Sequence, residues 1–110
     1  MADLIDPNRA VDYLIEKSKE FAQAKADRAH LEHFRKSKKA LLMNVCTEKA
    51  IAAREQFAYS HPEYIEVLAG IKAAIEREEL LRWRLEAARL RVEVWRTQEA
   101  SARAEGRATQ

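Results

Sequence analysis

Between Tyr64 and Arg103 the apolar and charged positions of this chain recur with a seven-residue period, most regularly from Glu76 to Thr97. With Leu85 at position a of a heptad, positions a and d are Glu78, Leu81, Leu85, Ala88, Val92 and Trp95, an apolar seam with one acidic interruption. Positions c and f form a second seam of Leu80, Trp83, Ala87, Leu90 and Val94. At 100° per residue the two seams centre about 160° apart. Charged rows separate them: Arg82, Arg89 and Arg96 at e, Arg77, Arg84 and Arg91 at g, and Glu79, Glu86 and Glu93 at b. A helix wetted on one side needs one apolar stripe, so two opposed stripes imply a partner on each side.

The same reading extends to the rest of the chain. Asp6-Pro7 is a helix start, with the carboxylate placed to accept from a free backbone N–H and proline at the first helical position. Leu4 and Ile5 are apolar enough to staple onto that helix. Neither glycine nor proline occurs between Pro7 and Tyr59, which predicts one helix over 7–59. Its apolar stripe thins through Ala22, Ala24, Ala26 and Ala29, so a bend, if there is one, belongs between Lys25 and Lys39. Ser60-His61-Pro62-Glu63 reads as a capping box, predicting a turn at 60–61 and a second helix over 62–103, with a frayed tail at 104–110. Gly70 interrupts this helix and suggests close approach of a neighbour. A hairpin folded at Ser60 sets side by side those residues whose numbers sum to about 120. Ile71 then lies near Ala50, Leu81 and Leu85 near Phe34 to Leu42, and Trp95 near Phe21 to Lys25, while Glu78 pairs with Lys38 or Lys39. The expected fold is therefore all-α: a single-domain antiparallel helical hairpin of coiled-coil type, assembling into a homo-oligomeric helical bundle.

Composition agrees with long helices. The 110 residues include two glycines and two prolines, with 47% hydrophobic and 35% charged residues, and a single packed core at this size is thin. Twenty basic against 18 acidic residues give a formal charge of +2, which supplies no general reason for a polyanionic partner. No segment has the pattern of a signal peptide or the length of a membrane span, and the lone Cys46 suits a reducing compartment, so a cytoplasmic protein is expected. Cys46 itself reads as a small buried hydrophobe.

Candidate chemistry is sparse. The basic stretch Arg28, Arg35, Lys36, Lys38 and Lys39, with His30, His33 and Phe34 among them, can be read as a nucleic-acid-binding stripe; the plainer reading is a solvated helix face paired with acidic residues of the second helix. Asp27, His30 and His33 recur every third residue but fall short of a metal-ligand set, and no metal or other cofactor is expected. There is no glycine-rich phosphate loop and no nucleophile with a base at catalytic spacing, so the chain is not expected to be an enzyme. Trp95 reads as core. Trp83, on the opposite seam with Leu80, Ala87, Leu90 and Val94, belongs to the expected oligomer interface.

The runs Ile65-Glu66-Val67-Leu68, Glu76-Arg77-Glu78-Glu79-Leu80-Leu81-Arg82-Trp83 and Glu93 to Arg107 resemble small uncharacterised helical proteins of temperate tailed bacteriophages, often carried among recombination and replication genes. The likeness covers residues 60–109. It implies a viral accessory protein acting in the cytoplasm of a bacterial host, and it assigns no site residue. The leading expectation is a non-enzymatic adaptor that self-associates through its second helix and acts in DNA metabolism through a phage or host partner protein. The alternatives are a nucleic-acid-binding module using 28–39 and an inhibitor docking on a host protein.

Overall fold

The computed structural model describes residues 5–109, which form three α-helices: α1 over Pro7–Val45, α2 over Ile51–Ser60 and α3 over Pro62–Ala108. No strand occurs among the described residues. The start of α1 follows the sequence. Asp6 Oδ1 accepts from the N–H groups of Asn8 and Arg9 at 2.9 and 3.3 Å, and Pro7 opens the first turn. Leu4 lies outside the described residues; Ile5 is half-buried.

The helix expected over 7–59 is two helices. It runs unbroken through the alanine-rich stretch and the 25–39 segment, the place for a bend if there were one, and stops at Val45. Asn44, Val45, Cys46 and Thr47 all come from the weak half of the helix-propensity scale, so the chain can leave the helix there without glycine or proline. A side chain distant in sequence then secures the end. Arg54 Nε and Nη2 both donate to the Met43 carbonyl, at 3.0 and 2.9 Å, adding to the 3.3 Å bond that this oxygen already accepts from the Cys46 N–H in the last turn. Cys46, in the loop that follows, is half-buried rather than part of the core.

The junction of α2 and α3 also departs from expectation. Proline at 62 confines His61 to extended backbone, with φ −69° and ψ 135°, which breaks the helix at one residue. The capping box at Ser60 does not form: the Ser60 hydroxyl turns back to donate to the Gln56 carbonyl at 2.7 Å. His61 caps α3 instead, its Nδ1 accepting from the Glu63 N–H at 3.1 Å and its carbonyl from the Tyr64 and Ile65 N–H groups. At the other end α3 continues to Ala108, past the expected limit at 103.

Internal contacts gather the chain into two compact units, one of residues 22–79 and one combining the chain up to Phe21 with the chain from Leu80. In the 22–79 unit, Leu42, Ala58 and Tyr64 form the buried cluster, with Met43 packed against it. Ala58 is fully buried, and its small side chain allows α2 to lie close on its neighbours. α1 and α3 run antiparallel here, in a register different from that expected. Lys38 meets Glu63, Asp27 meets Arg77 and Arg28 meets Glu78, pairs whose numbers sum to between 101 and 106 rather than to about 120. Residues 46–61 make the crossing, so the reversal is centred well before Ser60. Glu78 accordingly pairs with Arg28, not with Lys38 or Lys39.

The second unit pairs the first turns of α1 with the later part of α3. Ala10, Leu81 and Ala88 are buried, and Leu85, Val92 and Trp95 are half-buried, so the a and d positions do face inward as the heptad predicts. Phe21 lies under the Arg82 guanidinium, 5.3 Å from ring centroid to Cζ. That places Phe21 about 20 Å along α3 from Trp95, which was expected beside it. From Arg96 to Thr109 every described residue is exposed.

Gly70 does not mark a close approach. A Cβ built on it meets only Leu31 Cδ1, at an ordinary 3.9 Å, and its φ is not positive. Gly70→Ala should therefore stabilise the fold, by about 0.5–1 kcal/mol from helix propensity and lost unfolded-state freedom, measured by chemical denaturation.

Candidate interaction surface

The second seam lies on the outside of α3. Leu80 is 53% exposed, Trp83 64%, Leu90 50% and Val94 47%, and Ala87 is exposed with them. The two tryptophans contrast: Trp95, on the inward seam, is half-buried, while Trp83 is the most exposed of the four large side chains of the outer stripe. Five apolar side chains at heptad spacing on one helix face form a contiguous stripe, the kind of surface that marks an interface.

The charged rows beside this stripe differ in their occupation. Glu86 accepts from Arg89 at 2.6 Å and Glu93 lies 3.8 Å from Arg96, each an i,i+3 pair on the helix surface. The hydrogen bond from Arg89 holds the Glu86 carboxyl below its ordinary range, and the same contact raises the Arg89 guanidinium. Arg84 and Arg91 are exposed and have no carboxylate partner among the described residues. Both also line an open cleft with Asp6, Arg9, Ala10 and Tyr13 of the first helix segment.

The basic stretch of α1 is largely tied into the 22–79 unit. Arg28 grips Glu78 with a two-pronged contact, Nε to Oε2 and Nη2 to Oε1, and its Nη1 reaches Glu32 at 3.0 Å. Glu78 is 2% exposed, and the hydrogen bond to its carboxylate raises the Arg28 guanidinium above its ordinary value. Lys38 pairs with Glu63 at 3.0 Å, which lowers the Glu63 carboxyl. Lys39 lies 3.6 Å from Glu55 and 4.6 Å over the Tyr59 ring, and is raised chiefly by its hydrogen bond to Tyr59. Arg35 is half-buried and Lys36 exposed, and neither has an ion-pair partner among the described residues. The stripe read as a phosphate track thus has three of its five cations engaged with carboxylates of the same chain.

Asp27, His30 and His33 do not converge. Asp27 faces Arg77 at 3.5 Å, and His30 stacks on Phe34 with ring centroids 6.3 Å apart. Among the described residues no group of three or more His, Cys, Asp or Glu side chains is placed to hold a metal. No described helix is long and apolar enough to cross a membrane. The residue that sequence reasoning missed is Arg54, whose role as a cap on α1 becomes visible only once the break at 46–50 is known.

Compared with protein-family models, with curated proteins and with solved structures, the chain matches none.

The buried pair gives a thermodynamic test. Arg28→Met leaves the Glu78 carboxylate on the apolar seam without its guanidinium fork and should lower Tm by about 10 °C or more. Adding Glu78→Leu should recover most of that loss, because the apolar pair needs no counter-charge; thermal melts of the two variants at neutral pH provide the comparison.

Proposed function

We propose that this chain is a non-enzymatic helical adaptor that binds a second copy of itself through Leu80, Trp83, Ala87, Leu90 and Val94 of α3. The observation that carries the reading is the exposure of this whole stripe on the side of α3 opposite its packed a and d residues. The four large side chains, each about half exposed, gain on the order of 1 kcal/mol apiece on burial, counted twice in a symmetric pair. Association costs about 4–15 kcal/mol, the same order, so the pair is concentration-dependent and its rim contacts matter. The likeness of residues 60–109 to small proteins of temperate tailed bacteriophages supplies the setting: an accessory protein in phage DNA metabolism within a bacterial cytoplasm, joining its own copies to a phage or host protein.

Sedimentation velocity over a concentration series is the direct test. The wild-type chain should shift from monomer toward a larger species as concentration rises. Trp83→Glu should remain monomeric with its helical circular dichroism intact. A wild-type chain that is monomeric up to about 0.1 mM would remove the reading.

A further inference from the structure

Resting on that self-association, we infer that the two copies of α3 lie parallel, related by a two-fold axis along the helices, and that the charges flanking the exposed stripe select this orientation. Leu80, Ala87 and Val94 recur with Trp83 and Leu90 between them as the a and d positions of a second heptad, offset from the one that faces α1. At 100° per residue, Glu79, Glu86 and Glu93 lie about 60–100° to one side of this stripe, and Arg84 and Arg91 about 60–80° to the other. The stripe therefore has one acidic edge and one basic edge.

Two helices packed face to face through such a stripe bring different edges together in each orientation. In a parallel pair the left edge of one helix meets the right edge of the other, so glutamates face arginines. In an antiparallel pair left meets left, so glutamates face glutamates and arginines face arginines, an arrangement that like-charge repulsion disfavours. The parallel register matches Glu79 with Arg84 of the second copy and Glu86 with Arg91 of the second copy, each across the usual five-residue stagger, and the symmetry repeats both pairs.

The state of these side chains in the single chain supports the match. Arg84 and Arg91 are exposed and have no carboxylate partner among the described residues, although glutamates are abundant on the same helix. The reason is angular: the e-row arginines stand beside the acidic row and take its carboxylates, as Arg89 takes Glu86 and Arg96 takes Glu93, while the g-row arginines stand across the stripe. A carboxylate offers about four lone-pair positions, so Glu86 can keep Arg89 and accept a second guanidinium from another copy.

Orientation is read by disulfide trapping in a chain whose single cysteine is removed by Cys46→Ser. Leu80→Cys and Val94→Cys are introduced separately. In the parallel pair each variant meets its own copy across the axis and oxidises to a covalent dimer alone. In an antiparallel pair centred on Ala87, Leu80 of one copy lies about 21 Å along the axis from Leu80 of the other, beyond disulfide reach, and only a mixture of the two variants cross-links. Salt gives a second readout that needs no substitution: parallel pairing weakens as sodium chloride screens the edge attractions, whereas antiparallel pairing tightens. Arg84→Glu combined with Arg91→Glu should raise the dimer Kd at least about tenfold, and mixing with the Glu79→Arg, Glu86→Arg chain should restore association. Dimers that cross-link only as a mixture and tighten with salt would overturn the parallel orientation and leave self-association standing. A chain that stays monomeric at every salt and concentration would overturn the self-association on which it rests.

Discussion

A carboxylate on an apolar helix seam can be buried only where a cation meets it, and this requirement sets the pairing of α1 with α3 in the 22–79 unit. Glu78 occupies an a position, where the heptad otherwise places Leu85 and Val92, and it is almost wholly removed from water. Arg28 answers it with two nitrogens of one planar guanidinium and gives its remaining terminal nitrogen to Glu32. A lysine offers one point of charge and does not reproduce that fork. The pair contributes specificity of register more than net stability, since desolvating both ions offsets much of their attraction. The neighbouring contacts of Asp27 with Arg77 and of Lys38 with Glu63 follow the same alignment.

Periodicity made most of α3 legible. Seven-residue recurrence over Glu76 to Thr97 distinguished an inward seam from an outward one, and burial divides the side chains along that line, with Leu81 and Ala88 inside and Trp83 and Leu90 outside. Turns were read less well because they depend on single contacts. The end of α1 carries neither glycine nor proline; it is a short run of weak helix formers, closed by a guanidinium from residue 54. Ser60 and Glu63 have the right identities for a capping box, yet the histidine between them supplies both acceptors, its ring nitrogen and its carbonyl. Because the reversal is centred before Ser60, the cross-helix neighbours differ from those inferred by about four to five helical turns along one helix or the other.

The basic stretch shows the reverse problem. Composition alone makes Arg28 to Lys39 look like a surface for phosphates. Three of its cations instead spend their charge on carboxylates of α1, α2 and α3, so a local excess in one segment is a local balance in space. The flanks of the outward seam carry the more informative charges, because there the two signs are separated by an apolar strip rather than interleaved.

Beyond Arg96, α3 continues for three further turns with every described side chain exposed. A free peptide of that length would be mostly coil in water, since the first turn of a helix is costly to nucleate. Here nucleation has already occurred upstream, and each added residue only has to propagate. The end of the rod is consequently held open by its own root: it should unravel progressively from the tip, without cooperativity with the packed turns, and amide exchange there will report on whatever docks along it rather than on the stability of the fold.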